Sequence, residues 1–324
     1  MKGVPKHWAA IDEVSFVAGM RLLFWICRVF GRWPFRLVLY PVLGWYVLTK
    51  PRARRASSEY LRRVADHAAD CGPGSGSGPG PGLGGVLRHF GAFAESILDK
   101  MLLWGGLYPL EQVSLSGEQV MAEAIAGGRG GLLICAHLGN LELCRVLSRR
   151  RAGFKLTVLV HTKHARAFNR MLGRLNPDSE LNLMQVTDMS PVTAMLLAER
   201  VARGEFVVIA GDRVPVAPRP RVALASFLGR PAAFPVGPYV LASVLQCPVY
   251  LLFSLSRGAR SEIHFEPFRS AVRLPRQQRE QAMAGLAADY AARLEHFCLR
   301  APLQWFNFYD FWHDPRLDQS DASR

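Results

Sequence analysis

Residues 130–147 read Gly-Gly-Leu-Leu-Ile-Cys-Ala-His-Leu-Gly-Asn-Leu-Glu-Leu-Cys-Arg-Val-Leu, and this stretch decides the fold. The run from Leu132 to Ala136 is short, apolar and opened by glycines, which is typical of a buried strand. Asn140 is a good helix N-cap, and apolar residues recur at helical spacing up to Leu147. The pattern therefore predicts a strand, then a turn that carries His137, then a helix.

A carboxylate, Glu142, follows that histidine five residues later. Glu142 lies in the first turn of the predicted helix, so its side chain can reach back to the imidazole of His137. A carboxylate on one ring nitrogen fixes the tautomer and leaves the other nitrogen free to take a proton. The pair predicts a base and its orienting residue, acting on a hydroxyl of a bound substrate. The alternative is a structural turn histidine, with Glu142 interacting with the helix dipole.

Strands and helices alternate through residues 130–260, with further strands expected at 155–160 and 205–210 and a helix at 195–203. Such alternation predicts an α/β fold, with a central mixed, mostly parallel sheet flanked by helices.

The N-terminal part is apolar, aromatic and basic. Residues 14–30 and 37–48 are rich in apolar and aromatic side chains, but neither offers the roughly 20 uninterrupted apolar residues that cross a bilayer. We expect a membrane-seated helical hairpin, followed by a basic surface helix at 50–70. A helical pair docked on the core and a single tilted span are the alternatives. The expected division is a membrane-associating segment at 1–70, a Gly/Pro/Ser linker at 71–85, the main domain at 86–315 and a polar tail at 316–324.

Charge, cysteine content and missing motifs limit the classes of partner and chemistry to expect. A formal charge of +14 favours an acidic partner, and no nucleic-acid module is evident, so an anionic membrane surface or an acidic carrier protein is expected rather than nucleic acid. Six scattered cysteines without a Cys-x-x-Cys pair indicate reduced thiols and a cytoplasmic setting. No metal motif, Walker lysine loop or Gly-x-Ser-x-Gly elbow is present, so we expect no metal and no cofactor, and the α/β-hydrolase class is disfavoured.

Two basic groups are further candidates for substrate binding. Arg170 and Arg174 are four residues apart on one predicted helix face, where they could clamp a phosphate or simply be exposed. Asp212 and Arg213 follow the expected strand at 205–210. Asp212 could anchor the loop or position Arg213, and Arg213 could bind a phosphate or support a thioester oxyanion. An internal Asp–Arg ion pair is the alternative.

Several motifs in this order resemble one enzyme family. The His-x4-Glu turn is followed by Ala-Gly-Asp-Arg-Val-Pro at 210–215, Phe-Leu-Gly-Arg-Pro-Ala at 227–232, Gly-Pro at 237–238 and Pro-Leu-Gln-Trp at 302–305. From about residue 86 to 312 the chain is similar to the bacterial late acyltransferases of lipid A biosynthesis. It departs from them in the basic Gly-Asp-Arg turn and the Pro- and Arg-rich tip after it.

The resemblance implies the lysophospholipid acyltransferase fold and O-acyl transfer without an acyl-enzyme. The donor would be a thioester of acyl carrier protein or CoA, and the acceptor a hydroxyl of a lipid or glycolipid at the cytoplasmic face of the bacterial inner membrane. His137 would be the base and Glu142 its orienting residue. Substrate-binding residues are expected at Asn140, Arg170, Arg174, Asp212, Arg213, Phe227, Gly229 and Arg230. A lipid or thioester hydrolase and a non-catalytic lipid-binding protein of the same fold remain open alternatives.

Overall fold

The computed structural model describes residues 22, 25–70, 78–104, 106–144, 153–160, 182–185, 190–215, 220–258 and 260–313. The helices are α1 (Trp33–Thr49), α2 (Pro51–Asp70), α3 (Leu83–Trp104), α4 (Glu118–Ala126), α5 (Pro191–Ala202), α6 (Gly237–Leu245) and α7 (Arg279–Arg300). The strands are β1 (Val113–Ser116), β2 (Leu132–Cys135), β3 (Lys155–Val160), β4 (Asn182–Gln185), β5 (Glu205–Ala210), β6 (Val222–Phe227), β7 (Arg230–Pro235), β8 (Val249–Arg257) and β9 (Arg260–Arg269).

Seven of these strands form one sheet in the order β1-β9-β8-β2-β5-β3-β4. Neighbouring strands are parallel except β8 and β9, which pair antiparallel. The strands expected at 155–160 and 205–210 are present at those positions. The prediction of a mixed, mostly parallel sheet is therefore confirmed.

The sheet is covered by helices on both faces. In β2, Leu132 and Ile134 join the core cluster that also contains side chains of α2, α5, α6 and α7. Leu133 and Cys135 face the other way and join a second cluster with residues of α3 and α4. Burial on both faces explains why β2 is apolar throughout instead of alternating with polar residues.

Parallel pairing brings two strand ends together. β2 and β5 are neighbours in register, with Cys135 opposite Ala210 at their carboxyl ends. Each strand is followed two residues later by a candidate side chain, His137 after β2 and Asp212 after β5. The topology therefore places these two residues at one edge of the sheet, where sites of α/β proteins commonly lie.

Helices α1 and α2 lie at the N-terminal side of the described fold. In α1, Trp33 and Trp45 are 69% and 71% exposed, whereas Val47 is buried. The basic helix expected at 50–70 is present as α2, but one of its faces joins the core through Tyr60, Leu61 and Val64. Among the described residues no helix is both long and apolar enough to cross a bilayer. The expected membrane-seated hairpin thus has no support from a spanning helix.

Candidate active site

His137 and Asp212 form a hydrogen-bonded pair at the carboxyl edge of the sheet. The imidazole Nδ1 of His137 is 2.8 Å from Oδ1 of Asp212, and the backbone N–H of His137 donates to Oδ2 at 2.7 Å. Asp212 is fully buried, whereas the His137 side chain is 32% exposed. Because an ionised carboxylate only accepts hydrogen bonds, the Nδ1 carries the proton, and the lone pair of Nε2 can take another.

Asp212 is a stabilised anion. Burial raises the pKa of this carboxyl, but the charge of His137 and the hydrogen bonds from His137 and Trp305 lower it more, so the pKa lies below its ordinary value. An anion at this place holds the imidazole in one orientation and stabilises the imidazolium. The arrangement is that of a general base with its orienting carboxylate.

The orienting carboxylate is not the one expected from the sequence. Glu142 was predicted to hold the imidazole, but the carboxylate on Nδ1 comes from Asp212, 75 residues after His137. The physical reason is the strand order, because the pairing of β2 with β5 brings Asp212 to the imidazole. Glu142 lies in the turn that opens the next helix, and its backbone N–H donates to Oδ1 of Asn140 at 3.1 Å.

Gly139 lets the turn approach the sheet closely. Its φ of +61° lies in the left-handed region, and a Cβ at this position would overlap the carbonyl oxygen of Ser254 in β8. Glycine accepts both demands without strain. The turn after His137 therefore needs glycine for conformation and for space.

The C-terminal segment 304–306 lies against the same turn. The backbone N–H of Gly139 donates to the carbonyl of Gln304, and that of Phe306 donates to the carbonyl of His137, both at 2.8 Å. The Gln304 side chain is bonded in turn to both backbone groups of Ser256 in β8. The turn after His137 is thus held between β8 and the segment 304–306.

Comparison with known proteins identifies a family. The family model described as "Bacterial lipid A biosynthesis acyltransferase" matches residues 110–314, more than half of the chain. The chain belongs to this family. No curated protein matches it. Family membership supports acyl transfer as the general activity, with an acyl donor and a lipid acceptor as the substrates.

Asn140 and Arg213 of this family member lie next to the His137–Asp212 pair in the sequence, with different exposures. Asn140 is fully buried, and Oδ1 of its side chain accepts the Glu142 N–H as an N-cap, so it supports the turn. Its role in substrate binding stays a prediction. Arg213 is exposed, and one of its N–H groups donates to the carbonyl of Phe306 at 2.8 Å. The guanidinium that follows Asp212 is therefore accessible to solvent.

The Phe-Leu-Gly-Arg motif forms a hairpin. Phe227 ends β6 and Arg230 begins β7, and the two turn residues have positive φ, 50° at Leu228 and 76° at Gly229. Phe227 is fully buried and stacks on Trp312, so it packs in the core, and its contact with substrate stays a prediction. Gly229 and Arg230 are exposed at the hairpin tip, and their role in binding stays a prediction. Arg170 and Arg174 lie outside the described residues.

Sequence reasoning missed two side chains at this site. The indole Nε1–H of Trp305 donates to Oδ2 of Asp212 at 2.9 Å. Lys100 on α3 interacts electrostatically with Glu142 and Arg213, and burial lowers the pKa of its ammonium group. The Pro-Leu-Gln-Trp motif was a signal for Trp305, but Lys100 sits in an amphipathic helix that gives no sign of a site.

A cavity of about 630 Å³ adjoins the turn after His137. Gly139 and Gln304 form part of its wall, and α1 and α3 supply Arg36, Arg88 and Glu95. Its volume falls within the usual range of small-molecule sites. Glu95 is bonded to Arg36, so the cavity wall carries both charge signs.

Proposed function

We propose that this protein transfers a fatty acyl group from a thioester to a hydroxyl of a lipid or glycolipid, with His137 as the base and Asp212 as its orienting carboxylate. The observation that carries the proposal is the buried Asp212 bonded to the Nδ1 of a partly exposed His137. Family membership agrees with acyl transfer in general.

The reaction needs one displacement. Nε2 of His137 takes the proton of the acceptor hydroxyl, and the oxygen attacks the thioester carbonyl carbon. The tetrahedral intermediate collapses as the carbon–sulfur bond breaks, and the imidazolium returns the proton to the departing thiolate. Asp212 stays ionised throughout and stabilises the imidazolium, so no acyl-enzyme is required.

Side chains rather than turn amides would stabilise the oxyanion. The backbone N–H groups of Gly139 and Glu142 already donate to Gln304 and Asn140. The guanidinium of Arg213 has five N–H donors, and one of them donates to the carbonyl of Phe306. Arg213 is therefore our choice for the group that meets the developing charge.

The donor and acceptor classes follow from charge and from the exposed helix. An acidic acyl carrier protein suits a chain of net charge +14, and acyl-CoA is the other donor with the same thioester chemistry. The exposed apolar residues of α1 suit binding in the headgroup region of an anionic membrane, which we place at the cytoplasmic face of the bacterial inner membrane. The cavity beside Gly139 would bind part of the lipid substrate.

A product analysis separates this proposal from its alternatives. Purified protein in detergent is incubated with a total bacterial lipid extract and either labelled acyl-carrier thioester or labelled acyl-CoA, and the products are identified by mass. We expect an acylated lipid. Thioester loss that yields free fatty acid instead of acyl-lipid would indicate a hydrolase, and no turnover with either thioester would indicate a lipid-binding protein.

A further inference from the structure

The indole of Trp305 completes the hydrogen bonding of Asp212. Oδ2 of the carboxylate accepts the Trp305 Nε1–H at 2.9 Å and the His137 backbone N–H at 2.7 Å, while Oδ1 is bonded to Nδ1 of His137. Trp305 and Asp212 are both fully buried. Three fixed donors therefore set the plane of the carboxylate and keep its charge inside the protein.

Trp305 is itself held firmly. Its ring contacts those of Tyr60, Phe227 and Phe311 at centroid distances of 5.0, 5.2 and 4.8 Å. Its backbone forms a bridge with Leu138 in the catalytic turn. The indole N–H is therefore delivered to Asp212 by a rigid aromatic cluster.

A second histidine holds the backbone of Trp305. Nε2 of His89 on α3 is 3.0 Å from the Trp305 carbonyl oxygen, and Nδ1 is 2.8 Å from the hydroxyl of Ser57 on α2. Because a carbonyl only accepts, Nε2 donates, and Nδ1 accepts from Ser57. This chain of contacts links α2 and α3 to the residue behind the base.

The thiols and phenols that interact with Asp212 stay neutral near neutral pH. Burial raises the pKa of the thiols and phenols that interact with Asp212 from β2, α7 and the C-terminal segment. The titratable groups that interact with Asp212 are Cys135, His137, Tyr290, Cys298 and Tyr309. The cation Arg213 follows Asp212 in the sequence. A change in the hydrogen-bond donors of Asp212 therefore affects His137, whose imidazole is bonded to this carboxylate.

We propose that Trp305 is a positioning residue of this enzyme, whose indole N–H orients the Asp212 carboxylate and keeps it ionised so that Asp212 can hold His137 for proton transfer. The inference rests on the proposed function, because it needs His137 as the base. A phenyl ring could fill the aromatic cluster, but it has no hydrogen for the carboxylate.

The chain offers a matched control. Trp312 lies in the same aromatic cluster, with its ring centroid 6.4 Å from that of Trp305, and its indole N–H donates to the carbonyl of Phe227 at 3.2 Å. The substitution Trp312→Phe therefore removes an equivalent N–H from the same cluster without removing a donor from Asp212.

The test compares Trp305→Phe, Trp312→Phe and His137→Gln in the acyl-carrier and lipid assay over a range of pH. For Trp305→Phe we expect kcat to fall about ten- to hundredfold while KM stays within about threefold, because a hydrogen bond to a charged group is lost. The acid limb of its pH profile moves to higher pH, since the carboxylate holds a proton more strongly with one donor fewer. Trp312→Phe keeps the wild-type profile.

Two results would overturn the inference in distinguishable ways. If Trp305→Phe matches Trp312→Phe in kcat and pH profile while His137→Gln is inactive, Trp305 is only a packing residue. If His137→Gln keeps wild-type activity, the proposed function fails and this inference with it. Should Trp305→Phe not fold, site-specific replacement of Trp305 by benzothienylalanine keeps the ring shape without the N–H, and the same two readouts decide.

Discussion

His137 and Asp212 differ in exposure, and the difference suits their roles. A base must meet its substrate, and the His137 side chain is 32% exposed. A carboxylate that orients the base works best in a medium of low dielectric, and Asp212 is fully buried. The residue types of this pair are evident in the sequence, but their partnership is not, because it depends on β5 lying next to β2. The sequence alone therefore favours the nearer carboxylate, Glu142.

Replacing each carboxylate by its amide separates the two assignments. We expect Asp212→Asn to lower kcat about a hundredfold or more, since the imidazole loses its orienting anion. Glu142→Gln should lower kcat less than about tenfold, because the carboxylate on the imidazole is that of Asp212 and is kept. Initial rates of acyl transfer measure both, and a larger loss in Glu142→Gln would return the orienting role to Glu142.

At the scale of elements, the site is a turn held by partners distant in sequence. The strands at β2, β3 and β5 could be predicted because short apolar runs with turn residues at their ends define them. The clamp from Gln304 and Trp305 could not, since segments without a periodic pattern give no sign of where they dock. The pairing of Leu138 with Trp305 spans more than half of the chain.

Two glycines of similar conformation test the clamp. Gly139 has φ +61° and would place a Cβ against Ser254, whereas Gly128 has φ +69° with no atom within 4 Å of that position. We expect Gly128→Ala to lower the free energy of unfolding by about 1–2 kcal/mol. Gly139→Ala should cost more, at least about 3 kcal/mol, because strain and steric overlap combine. Denaturant unfolding measures both, and equal losses would contradict the close packing of the turn.

His89 of α3 lies between α2 and the C-terminal segment, and its burial makes the stability of the protein depend on pH. Burial lowers the pKa of His89 to about 4, although its bond to Trp305 opposes the shift. The unfolded chain therefore binds a proton below about pH 6.5 that the folded protein excludes, and stability falls as the pH falls. At pH 5 this contribution is about 2 kcal/mol.

The variant His89→Gln isolates that contribution. The loss of unfolding free energy between pH 7.5 and pH 5 should be about 2 kcal/mol smaller in His89→Gln than in the wild type. Urea titrations at the two pH values give the difference. An identical pH dependence in both proteins would show that His89 is not a buried neutral residue.

At the scale of the whole molecule, the described fold has a buried sheet and an apolar helix at its surface. Arg36 of α1 pairs with Glu95 of α3, which turns one side of α1 toward the fold. Trp33, Leu37 and Trp45 are exposed in the part of the chain that the structure describes. The sequence pointed to this apolar helix, but the ion pair that orients it joins residues 59 apart and could not be foreseen.

Vesicle binding tests the role of this surface. Replacing Trp33 and Trp45 by serine should weaken co-sedimentation with phosphatidylglycerol-containing vesicles about tenfold or more, because apolar area is no longer buried in the headgroup region. The matched control replaces Val192 and Met195 of α5, which are 74% and 73% exposed. Equal binding by all three proteins would exclude α1 as the membrane contact.

We propose His137, held by Asp212, as the base of acyl transfer. The direct measurement is the initial rate at which labelled acyl groups pass from the carrier thioester to lipid in wild type and His137→Gln, with thermal unfolding midpoints confirming that both are folded. We expect a loss of about a hundredfold or more in the variant. A folded His137→Gln that transfers acyl groups at the wild-type rate would contradict it.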